Sequence, residues 1–135
     1  PKNIFVGGFI GSPKMNFIQS KILSKSSSNT EVDIMGSGKI NISKTSKSSK
    51  EGDIVKLGIR PEHLLVNQES DSNWESKVLV VEKLGSGTFL YIEKNEELLV
   101  VQTDGDSKIK VGDVVKIGFD ASRCHIFDET NQAFK

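Results

Sequence analysis

The chain is poor in the residues that most often announce chemistry. It holds one cysteine, two histidines, two arginines, one tryptophan, one tyrosine and three prolines in 135 residues. A single thiol, Cys124, excludes an internal disulfide. It stands in "RCHIF" beside Ile126 and Phe127, where a small buried apolar side chain is the leading reading and a reactive thiol the other. A chain without disulfides suits a reducing compartment. Neither His63 nor His125 belongs to a cluster with zinc spacing, and both read as structural. Ser122, His125 and Asp128 are close in sequence, but one short strand cannot turn them toward each other as nucleophile, base and orienting acid must turn. Excess charge of either sign is missing too, with 18 basic and 18 acidic side chains. Nucleic-acid binders draw much of their affinity from neutralised phosphates, so this balance argues against them. No apolar run is long enough to span a bilayer. The start lacks the basic-then-apolar pattern of a secretory signal. It opens on Pro1 and not on Met, which suggests a piece of something longer.

What is present is alternation. The length and a 36% apolar content allow one domain with a real core. Val55, Leu57 and Ile59 fall on one face of an extended segment, as do Val115, Ile117 and Phe119. Trp74, Ser76, Val78, Val80 and Leu84 alternate with Glu75, Lys77 and Lys83, and Ile40 and Ile42 with Lys39, Asn41 and Ser43. Period two over short runs, with "GSG" twice, "KNEE", "DGD" and "DETNQ" between them, predicts an all-β barrel or sandwich. Asn3–Gly11 departs from this, with apolar spacing that predicts a short helix. The polar stretch "SKTSKSSK" at 43–50 reads as a solvated loop, with a phosphate-binding patch as the minor alternative.

The chain also repeats itself. "EGDIVKLGIR" at 51–60 returns as "VGDVVKIGFD" at 111–120, and "SKIL" at 20–23 returns as "SKVL" at 76–79. "TEVDI" at 30–34 aligns loosely with "TFLYI" at 88–92. Two copies of a β unit, at about 14–66 and 74–128, explain this most simply. Gly-Asp ahead of an apolar strand has a backbone reason, since Gly takes a turn conformation closed to most residues and Asp can bond the free N–H groups.

Phosphate-loop readings fail. "GSGK" at 36–39 lacks the earlier Gly and the following Ser or Thr, and it lies between strands rather than before a helix. "GSGTFL" at 85–90 has Leu90 where a dinucleotide fingerprint needs its last Gly. The first reads as a hairpin turn, and the second is a turn signal with a strand after it. "GIRPEHLL" at 58–65 says more. Pro61 biases Arg60 toward extended backbone, and Glu62 lies two residues on, able to pair with it. A strand-ending corner and a contact surface for another domain both remain open. Arg60 and Arg123 are the chain's only arginines and each borders a strand end.

Taken together, "NIFVGGFIGSPKMNF" at 3–17, "LGIRPEHLL" at 57–65, "VVEKLGSGTFLY" at 80–91 and "RCHIFD" at 123–128 resemble one family. It is the C-terminal regulatory domain, of the transport-associated OB type, found in ATPase subunits of sugar-type ABC importers. The resemblance implies an OB-type β-barrel built from two related halves, with a short N-terminal helix and linker at 1–13. It implies no catalysis in this chain, since the ATPase motifs, and with them ATP and Mg, would belong to a domain not present here. It implies a second copy of the ATPase subunit as partner, permease subunits through the parent, a possible regulatory protein, and a cytoplasmic place at the inner face of the membrane. Carried over residue by residue, Gly11, Ser12, Pro13, Met15 and Asn16 would join helix to barrel. Arg60, Pro61, Glu62 and His63 would form the family's corner, with Arg123 and His125 at its counterpart. Two rivals stand beside this: an OB module binding nucleic acid through exposed aromatics, although Phe17, Trp74, Phe89, Tyr91, Phe119 and Phe127 mostly sit in apolar alternation and are expected in the core, and an oxyanion-binding domain.

Overall fold

The computed structural model of the chain describes residues 15–35 and 38–135. The expected helix at 3–11 lies outside them. The first half runs β1 (Asn16–Lys25), β2 (Thr30–Ile34), β3 (Lys39–Ile42) and β4 (Ile54–Ile59), then a 3-10 turn at Pro61–His63 and the short β5 (Leu65–Val66). The second half runs β6 (Ser72–Lys77), β7 (Val80–Leu84), β8 (Gly87–Lys94), β9 (Glu97–Thr103) and β10 (Val114–Phe119). A second 3-10 turn at Ala121–Arg123 and β11 (His125–Phe127) complete it. The fold is all-β, as the alternation predicts.

The two Gly-Asp turns are built alike. Gly52 and Gly112 have φ of +90° and +94°, open to glycine and costly to most other residues. Gly52 N–H donates to Ile22 C=O, and Gly112 N–H to Val78 C=O. Ile22 N–H and Val78 N–H donate in return to Asp53 and Asp113 C=O. The carboxylates of Asp53 and Asp113 accept from Lys50 and Lys110 N–H at 3.0 and 2.9 Å. Beyond the turns, β4 pairs with β1 and β10 with β6, both antiparallel. Val55, Leu57 and Ile59 are buried as are Val115, Ile117 and Phe119. The repeat in sequence is thus a repeat in structure.

The halves are also threaded through each other. After the first 3-10 turn, β5 leaves its own half and pairs with β10 of the second. After the second 3-10 turn, β11 crosses back and pairs with β4 of the first. Each half thus completes the other's sheet. One apolar core runs through both, from Ile18, Ile22, Val32 and Ile34 to Leu90, Val101, Ile117 and Ile126. Each such side chain contributes roughly 1.5–3 kcal/mol by leaving water.

Three expectations need correction. The alternation over 74–84 predicts one strand, but the chain breaks at Val78 and Leu79. Val78 bonds to the Gly112-Asp113 turn while Leu79 N–H turns to Tyr91 C=O, so the chain passes from one sheet to another. Leu84, expected inside, is consequently 46% exposed. The 43–50 stretch is not merely solvated. Ser49 is buried, Lys25 Nζ donates to Ser46 and Ser49 C=O, and Thr45 exchanges backbone hydrogen bonds with Lys135. Among the aromatics expected in the core, Phe89, Tyr91 and Phe119 are buried, but Phe17 is 46% exposed. It lies on the outer face of β1, edge-on to Phe127.

Candidate contact surface

The two 3-10 turns follow equivalent strands, β4 and β10. Arg60, in extended backbone at φ −72° and ψ 150°, obeys the restriction imposed by Pro61. His63 N–H closes the turn on Arg60 C=O at 3.0 Å. At the second turn Asp120 does the capping, its Oδ1 accepting from Ser122 N–H at 3.0 Å and Ser122 Oγ–H at 2.7 Å. Arg123 N–H closes that turn on Asp120 C=O at 2.9 Å. Asp71 adds a carboxylate oxygen, accepting from Ala121 N–H at 2.8 Å. The first turn packs on β9 and the second on β3, a strand of the opposite half in each case.

Register brings the charged groups together. On the β4–β11 ladder Gly58 faces His125, so Arg60 and Arg123 leave their strands at the same corner. On the β5–β10 ladder Leu65 faces Gly118, which sets His63 beside Asp120 in the same way. Electrostatics agree. Asp120 is held below the usual carboxylate range by the hydrogen bonds from Ser122, then by Arg123 and His63. His125 is pushed below its usual 6.5, first by burial, then by Lys44, Arg60 and His63. Lys44 reaches this corner from the loop after β3, its Nζ donating to Cys124 C=O at 3.0 Å. Beneath, Cys124 is fully buried, and burial raises its thiol to about 12.

The predicted residues fall into three groups. Arg60, Glu62, His63, Arg123 and His125 share this corner. The expected ion pair of Arg60 with Glu62 is present as a single contact of 4.0 Å between exposed side chains, without the two-pronged geometry a guanidinium allows. Exposed pairs of this kind contribute at most about 1 kcal/mol. Arg123 makes no ion pair within 4.0 Å among the described residues. Pro61, Met15 and Asn16 support the corner from within. Pro61 is buried, and Met15 packs where Gly58 has no side chain: a Cβ there would sit 2.6 Å from its Sδ. Asn16 is buried, donating from Nδ2 to Val100 C=O at 2.8 Å and accepting at Oδ1 from Val100 N–H at 2.9 Å. Gly11, Ser12 and Pro13 lie outside the described residues. Sequence reasoning missed Lys44, hidden in a low-complexity loop, and Asp120, for which the pattern Asp-Ala-Ser at a strand end was a usable capping signal.

At the corner Ser122 Oγ–H donates to Asp120, and nearby Asp128 Oδ1 accepts from Thr130 and Gln132. The corner is exposed at Arg60, Glu62 and Arg123 and braced by the two 3-10 turns.

Comparison with known proteins fits this architecture. A MalK OB fold domain model matches residues 11–64, and a TOBE domain model matches residues 57–127. The maltose/maltodextrin import ATP-binding protein MalK of Aliivibrio fischeri is 37% identical over 98% of this chain and 37% of its own length. That of Vibrio parahaemolyticus is 38% identical over 100% of this chain and 37% of its own length. The alpha-glucoside transport ATP-binding protein AglK of Rhizobium meliloti is 34% identical over 100% of this chain and 38% of its own length. The chain therefore spans little more than a third of the relatives it matches. Among solved structures, the cytoplasmic molybdate-binding protein ModG superposes with a TM-score of 0.63 at 17% identity, covering 82% of this chain and 94% of that one. At that identity the likeness shows the fold alone. With the repeated Gly-Asp strands, the exchanged β5 and β11 and these matches in hand, the chain belongs to the TOBE-domain family, its first part matching the MalK OB fold domain model.

Proposed function

We propose that the chain is the non-catalytic regulatory and dimer-stabilising domain of the ATP-binding subunit of an ABC importer for maltose-like or other α-linked sugars. One observation carries the reading. Relatives named as import or transport ATP-binding proteins align along 98–100% of the chain at 34–38% identity, yet the chain occupies little more than a third of each. The ATP-handling part of such a subunit would lie in the remainder, with Mg. The partners on this reading are a second ATP-binding subunit, permease subunits and a regulatory protein, at the cytoplasmic face of the membrane. Among the described residues no helix is long and apolar enough to cross a membrane.

The test compares a full-length subunit with a version lacking residues 15–135. The expected outcome is retained nucleotide binding with weakened dimerisation and altered control of sugar uptake. Loss of nucleotide binding, or no change in dimerisation and uptake, overturns the proposal. The purified chain alone should not turn over ATP, and Lys39→Ala should make no difference to that result. Molybdate or sulfate binding by calorimetry would move the reading to an oxyanion-binding domain, and single-stranded nucleic acid binding at low salt would move it to a nucleic-acid module.

A further inference from the structure

We infer that the twin corner is a docking surface for an acidic segment of a partner protein, whose carboxylates are taken by the guanidinium groups of Arg60 and Arg123. This deepens the contact-surface reading above by naming the chemistry of what docks. Four observations carry it. The two arginines are the only ones in the chain, and exchange of β5 and β11 between the halves delivers both to the same corner. Arginine differs from lysine in presenting a planar fork that matches a carboxylate with two parallel hydrogen bonds. Neither fork is so engaged among the described residues: Arg60 has the single 4.0 Å contact to Glu62, and Arg123 has no ion pair there. Arg60 is about half exposed and Arg123 is exposed, so both are available.

The neighbouring acids are tied to the second 3-10 turn: Asp120, on which Arg123 and His63 also act, accepts from Ser122, and Asp71 accepts from Ala121. Besides burial, the groups that act on His125 are Lys44 from the loop after β3 and Arg60 and His63 from the first corner, all lowering its pKa. Its own ring neighbour on β11 is the uncharged Phe127, 6.5 Å between centroids.

The shape selects a segment over a small anion. Among the described residues, clefts of about 210, 390 and 210 Å³ are lined from β1, β4, the β8–β9 turn and the loop at 128–130, and neither arginine lines any of these three. An exposed pair of forks without an enclosing pocket leaves a free anion mostly solvated and screened. A chain with several carboxylates can span both corners and hold on by both.

The experiment uses this chain labelled with nitrogen-15, titrated with a short peptide of alternating glutamate and alanine. Its glutamine counterpart and inorganic phosphate serve as comparisons. Saturable shifts should map to residues 60–63 and 120–125, with the glutamate peptide binding at least about tenfold tighter than the glutamine one. Arg60→Gln with Arg123→Gln should lose about that tenfold. Arg60→Lys, which keeps charge and loses the fork, should fall between. The pH readout follows with its sign. Carboxylates placed near His125 raise an imidazole pKa that burial first and then its neighbours lower, so the acidic peptide should bind more tightly as pH falls through the imidazole range. The His125 ring resonance should titrate at higher pH when peptide is bound. Four results overturn the inference: equal binding of the glutamine peptide, shifts that map elsewhere, displacement by phosphate at equal concentration, or shifts that depend on protein concentration without peptide. Each can occur whether or not the chain belongs to an importer, so failure here is distinct from failure of the proposed function.

Discussion

Asn16 and Cys124 show how much single side chains do in this fold. Asn16 presents its amide to Val100 as a neighbouring strand would, satisfying one donor and one acceptor at once. Asn16→Ala leaves both Val100 groups without that partner in a buried place. The expected loss is about 1–3 kcal/mol, read as a lower urea midpoint with an unchanged slope. Asn16→Asp keeps the acceptor but not the donor, and should also destabilise. Cys124 bears on alkaline stability. Its folded thiol titrates near 12 instead of 9, because burial favours the neutral form. Above pH 9 the unfolded chain loses this proton and the folded chain keeps it, so stability is intact below 9 and falls as pH rises toward 12. Tyr91, also raised to about 12 by burial and its hydrogen bond to Glu82, adds a second loss beginning near 10. Cys124→Ala should flatten the part that begins near 9, as seen in denaturation midpoints across that range. The native thiol should resist alkylation at neutral pH and react only on unfolding.

Among the elements, the β7–β8 hairpin separates two glycines that look equivalent in "GSG". Gly85 has open space around a notional Cβ. Gly87 has φ +149°, and a Cβ there would meet Thr103 C=O at 2.8 Å. The obstacle is backbone of β9's end and cannot swing away. Gly87→Ala should cost roughly 1–3 kcal/mol, while Gly85→Ala should cost a few tenths at most. Comparing the two melting temperatures checks this, and equal losses would show that β9 yields at that point. The β8–β9 hairpin solves the same problem without glycine. Asn95 and Glu96 have φ of +52° and +70°, the two left-handed positions of a tight primed turn. Asn95 is a residue that tolerates this, but Glu96 is not, so Glu96→Gly should stabilise the hairpin slightly.

For the whole molecule, exchange of β5 and β11 forbids independent halves. Each half alone would leave β4 or β10 without its outer partner and would expose the shared core. A fragment ending at Ser70 or beginning at Asp71 should therefore be unfolded alone. The intact chain should unfold in one step, with the fluorescence of Trp74, stacked on Phe119, coinciding with backbone circular dichroism. Two separate transitions would mean that the halves are domains in their own right.

The sequence by itself determined the all-β class, the two Gly-Asp strands and their buried faces, because period two and a glycine turn are local properties written in consecutive residues. It also marked Arg60, Pro61 and His63, since proline's effect on its neighbour is local. It did not determine the break at Val78 and Leu79, where alternation continues in sequence while the backbone changes sheets. Nor did it reveal that Phe17 stays outside, that Lys44 reaches Cys124, or that Arg60 and Arg123 share a corner. Those depend on which strand pairs with which across sixty or more residues of chain. That choice is made by burying one core common to both halves, and it exists only once the tertiary structure has formed.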